Sequence, residues 1–159
     1  MITASTMVKM VLDRWYASIT SINTLLDSID DETLLKEIAP GKNRGIYLLG
    51  HLVAVHDAML ILLDMGEKLY PELSEPFLSA PDRSTSSIPS AKELRSSWTK
   101  QCETLQQKFD GLQPYDWFQK HTAVSAEDFA AEPHRNKLNI VITRTTHLQY
   151  HIGQLRLLK

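Results

Sequence analysis

The chain has 159 residues, 43% hydrophobic and 23% charged, an ordinary globular composition long enough for a single domain, residues 1–159, with a core of useful size. Its formal net charge of -2, with no run of Lys or Arg able to track a phosphate backbone, argues against nucleic acid as a partner. The one cysteine, Cys102, cannot form an internal disulfide, so nothing points to an oxidising compartment.

The opening stretch MITASTMVKMVLDRWYASI lacks a basic region, an apolar block and a cleavage site, and reads as mature protein. Met7, Val11, Trp15, Ile22, Leu25 and Ile29 then recur at helical spacing and predict a first amphipathic helix. DDETLLKEIAPGKN reads as a short helical turn broken at Pro40-Gly41. A second helix is predicted from near Asn43, its N-cap, to about Met65. It is apolar nearly all round between Leu48 and Leu63, which places it centrally or at an interface. A homodimer using Leu49, Val53 or Leu60 is the corresponding expectation. The run 48–63 carries His51, His56 and Asp57, too short and too polar for a membrane span, so no membrane association and a cytoplasmic location are expected.

Residues 71–89, with four prolines and a Ser/Thr cluster, predict a long crossing loop. Ser90 and Glu93 form a capping-box signature for a third helix, with Leu94, Trp98, Cys102, Leu105 and Phe109 inward and Gly111 closing it. Residues 112–135 are mixed, with a short turn at SAEDFAAE, and the last helix runs from about Asn136 to the end. Four such helices predict an all-α fold, a four-helix bundle.

In the last helix His147 and His151 differ by only ~40° around the axis, so both face inward, one turn apart. That spacing suits two ligands of one metal ion, although alone it more often marks hydrogen-bonded histidines. The second helix offers a third ligand. His51 and His56 stand ~140° apart and cannot serve one point. His51 shares its face with Tyr47, Val55 and Ala58 and is the better candidate. His51, His147 and His151 would make a three-histidine site with open positions, built across facing helices.

NRGIYLLGHLVAVHDAML and TRTTHLQYHIGQLRLL resemble the two metal-binding segments of the DinB-like (YfiT-related) superfamily, with their LGHL and H-x-x-x-H-x-GQ patterns. Ile152 stands where that pattern usually has a basic residue. By position, the family's three ligands fall on His51, His147 and His151. The resemblance implies up-down-down-up order, a divalent metal such as zinc or nickel, and frequent homodimers. It also implies a small-molecule substrate, because characterised members include low-molecular-weight-thiol S-transferases such as bacillithiol transferases, and some metal-dependent hydrolases.

An ion with an open position can activate a co-substrate thiol towards an electrophile, the leading expectation here, or water towards an ester or amide. A non-enzymatic metal- or ligand-binding stress-response bundle is the alternative of a different class. Arg144, one turn before His147, is a candidate anchor for a substrate carboxylate, against a salt bridge or a snorkelling surface group. Gln154 is read as a packing residue before a ligand-orienting one, and Cys102 as a core thiol. His121 and His134 are expected to face solvent. Asp57 points ~120° from His51, so no general base is identifiable.

Overall fold

The computed structural model describes residues 3–159. Six α-helices occur among them: α1 (Ala4–Asp27), α2 (Asp31–Leu34), α3 (Gly45–Leu62), α4 (Ala91–Asp110), α5 (Ala126–Ala131) and α6 (Lys137–Leu155). No β-strand occurs among the described residues. Isolated bridges join Glu37 to Arg44 and Lys120 to Asn136.

Helix starts follow the local chemistry of the chain. The side chains of Thr3, Asp30, Ser90, Ser125 and Asn136 each accept a first-turn N–H that would otherwise lack a partner. The Ser90–Glu93 capping box is complete in both directions. One cap differs from expectation. α3 starts after Arg44, with no side-chain cap, while the carbonyl of Asn43 accepts the N–H of Ile38. Arg44 is instead held in a forked ion pair with Asp82, 2.6 Å at its closest, which fixes the entry to α3 from across the following loop. α3 also stops at Leu62, earlier than predicted, because Asp64 turns into the left-handed region at φ 58°.

Two linked apolar clusters fix the directions of the long helices. One gathers Ile22 and Leu25 from the end of α1 and Leu148 and Leu155 from the end of α6, with Leu48 and Leu52 from the start of α3 and Leu94 and Trp98 from the start of α4. The other gathers Val8, Leu138 and Val141 from the starts of α1 and α6, and Met59, Leu60, Leu105 and Phe109 from the ends of α3 and α4. Thus α1 and α6 run one way, and α3 and α4 the other. At the α1 end the buried side is read one residue off: Met7 is 43% exposed, and Val8 is buried instead.

α3 is the central helix. Its 18 residues have a mean hydropathy of 1.7, long and apolar enough to cross a membrane by that measure, and 72% of them are buried inside the fold. Leu49, Val53 and Leu60 are at most 1% exposed within the single chain, so none of the three is available to a dimer interface. The expectation that they contribute to one is corrected: the all-round apolar surface of this helix is consumed by its own neighbours.

The segment after α3 is more than a crossing loop. It contains a 3₁₀ turn (Pro71–Leu73) and a wide π-type turn (Glu75–Ser79), both packed on α3, with Leu73 and Phe77 buried. Buried Asp57 anchors its beginning by accepting the N–H groups of Leu69 and Tyr70, each at 2.8 Å. Tyr47 holds its end by donating to the carbonyl of Ala80. The segment is therefore strapped at both ends to one helix.

Candidate metal centre

His51 projects from the first half of α3 towards the last two turns of α6, where His147 and His151 stand one turn apart. The three Nε2 atoms converge: 3.1 Å separates those of His51 and His147, and 3.0 Å those of His147 and His151. The ligand atoms of the trio all lie within 4.8 Å of one another, a grouping able to hold a metal ion. Nitrogens about 2.05 Å from one ion are spaced by roughly 2.9 to 3.3 Å in octahedral or tetrahedral geometry, so these separations fit first-row coordination.

The hydrogen bonds behind the rings decide which nitrogens face inward. Nδ1–H of His51 donates to the carbonyl of Phe77 at 2.8 Å, and a carbonyl can only accept. Nδ1–H of His151 donates to the side-chain oxygen of Gln154 at 2.7 Å. When neutral, both rings therefore turn an Nε2 lone pair to the common point. His147 differs, for its Nδ1 is buried without a partner. A proton on its Nε2 can bridge to only one neighbour at a time. The centre thus presents more lone pairs than protons, the arrangement a cation satisfies.

Burial favours the neutral form of the two histidines on α6. Burial, then the proximity of His151, His51 and Arg144, pushes His147 down to about 4. Burial also lowers His151, partly opposed by its bond to Gln154. Neutral imidazole is the form that ligates.

Arg144 lies one turn before His147 on the same face. It is half-buried, takes part in no ion pair among the described residues, and its Nε is buried without a partner. Burial lowers its pKa. Of the alternatives weighed for it, a salt bridge is absent among the described residues, whereas a snorkelling side chain, its stem buried and its head group at the surface, fits this half-buried placement.

The remaining sequence candidates separate clearly. His56 is fully buried between Trp15 and Trp98, its Nδ1–H donating to the carbonyl of Leu52 at 2.7 Å, away from the trio. Asp57 is occupied by the strap. Burial pushes the Cys102 thiol up to about 12, which removes it as a nucleophile. His134 is exposed as predicted, whereas His121 is half-buried with an unpartnered Nδ1.

Two groups that orient the rings are ranked lower or missed from the sequence. Gln154 orients His151 and is itself held by donating to the hydroxyl of Tyr150 at 3.1 Å, so its role goes beyond the packing first assigned to it. The carbonyl of Phe77 comes from the segment read as a loop, and a backbone acceptor leaves no signature in a sequence. The ligand-orienting reading of Gln154, placed second to packing, is the right one, since a polar residue three positions after a ligand on a helix lies within reach of its ring.

The family model of the DinB superfamily matches residues 14–155 of this chain. No curated protein matches it.

Proposed function

The chain belongs to the DinB superfamily, and from that premise we propose that His51, His147 and His151 hold a divalent ion, zinc or nickel, at the centre of an enzyme that transfers a low-molecular-weight thiol to a small electrophile. The observation that carries the metal reading is the convergence of three Nε2 atoms with two ring tautomers set from behind. A divalent ion at that point supplies Lewis acidity, which lowers the pKa of a thiol or water brought to it.

The chain's own residues supply the rest. Three neutral ligands leave the ion's charge uncompensated, which favours an anionic partner, and Arg144, in no ion pair among the described residues, adds a second cation near His147. A substrate or thiol with a carboxylate would lie against Arg144, leaving its reactive atom facing the histidine trio. In the transfer the thiol sulfur forms the new bond to the electrophilic carbon. The leaving group departs with its bonding pair, and the thiol proton passes to solvent. No carboxylate is assigned as a base, and Asp57 is committed elsewhere.

The test is a screen of zinc- and nickel-loaded protein against cysteine-containing thiols and chloro-aromatic or epoxide electrophiles, following thiol loss. Turnover abolished by chelation and restored by the ion supports the assignment. Ester or amide cleavage without thiol dependence would reassign the protein as a hydrolase. Ion binding without turnover on either class would leave a binding bundle.

A further inference from the structure

Gly50 precedes His51 inside α3, where a glycine weakens a helix. The reason for it is the ring of Phe77. A Cβ at Gly50 would stand at most 2.6 Å from three carbons of that ring, closer than real side chains approach. The ring cannot move aside easily, since it is fully buried and packed against Tyr47 with centroids 5.8 Å apart. Gly153 on α6 is the contrast, with open space where a Cβ would go.

Seating the ring directly on the α3 backbone brings the carbonyl of the same residue to His51 Nδ1. The surrounding turn serves the same end. Ala80 N–H bonds back to the carbonyl of Glu75, a wide turn, and the strap is tied to α3 at Asp57, Tyr47 and Arg44. We propose that Gly50 and Phe77 form a positioning pair that sets the tautomer and direction of the His51 imidazole, with Gly50 as the determinant that a side-chain change can reach. The consequence for ion binding rests on the metal reading above; the tautomer itself does not.

The experiment uses the full chain with ¹⁵N-labelled histidine, metal-free, near pH 7.5, followed by zinc titration against a chromogenic chelator. In wild type, His51 Nδ1 carries the proton. Gly50→Ala should shift His51 to mixed tautomers and weaken zinc binding by about 10- to 100-fold, the range typical of lost support behind a ligand. Gly153→Ala, the same change two residues from His151, should alter neither readout. Phe77→Leu, which keeps an apolar side chain, provides the test if Gly50→Ala fails to fold, with loss in the same direction. Wild-type tautomer and affinity in a folded Gly50→Ala or Phe77→Leu protein would overturn the proposal. A tautomer change in Gly50→Ala, combined with no zinc binding by wild type, would uphold the positioning pair and remove the metal reading.

Discussion

Nδ1 of His151 lies 2.7 Å from the side-chain oxygen of Gln154, three residues further along the same helix, and this contact selects the nitrogen that His151 turns towards His51 and His147. Gln154→Leu removes the acceptor and should weaken zinc binding about 10-fold or more. Gln154→Glu keeps an acceptor in place and should bind close to wild type. Chelator competition on the folded variants measures both, and a Leu variant with wild-type affinity would reduce Gln154 to packing.

The ion itself is the most direct prediction. Untagged protein should carry about one equivalent of zinc, nickel or another divalent metal by mass spectrometry, in line with a three-histidine site. His51→Ala and His147→Ala should each lose it, because each leaves only two of the three ligands. His56→Ala should retain it even if less stable. Retention in the His51 variant would place the ion elsewhere.

Arg144 should trade stability for binding. Half-buried and in no ion pair among the described residues, it is partly desolvated without return. Arg144→Met should leave metal content unchanged and stability equal or higher by about 1 kcal/mol, while raising KM for a carboxylate-bearing substrate at least 10-fold with a smaller change in kcat. A clear loss of stability by urea unfolding, with KM untouched, would assign Arg144 to the scaffold.

His56 sets a pH dependence. Burial pushes it from its ordinary 6.5 down to about 3, so between those values the unfolded chain binds a proton that the folded one refuses. Stability therefore falls as pH drops through this window, by up to about 1.4 kcal/mol per pH unit, and the effect is absent above 6.5. His147, lowered to about 4, contributes in the same direction over a narrower window. Urea midpoints of metal-free protein at pH 7.5 and 5 should lie further apart in wild type than in His56→Leu. Equal separations would mean that His56 is charged or exposed when folded.

The helices and the histidine trio were legible because they depend on spacing and on local caps. Ser90 and Glu93 announce α4 with groups only three positions apart, and a separation of five positions between His51 and His56 suffices to send one to the trio and the other to the core. What was not legible depends on tertiary contact. Asn43 has the right chemistry for a cap, yet its backbone pairs with Ile38, and the long-range attraction of Asp82 for Arg44 decides where α3 begins. Met7 fits the periodic stripe of α1 but lies beyond the reach of its neighbours. The Phe77 carbonyl is a group that every residue possesses, so only the packing of its ring on Gly50 singles it out.

His51 and His147 stand 96 positions apart in the chain. An ion held between them would join α3 to α6 as a reversible cross-link, and the chain could not unfold without releasing it. Resistance to heat would then report the free ion in the surroundings, rising by about 1.4 kcal/mol for each tenfold increase above the dissociation constant. In such a protein, scarcity of the metal shortens the lifetime of the fold as well as emptying the site.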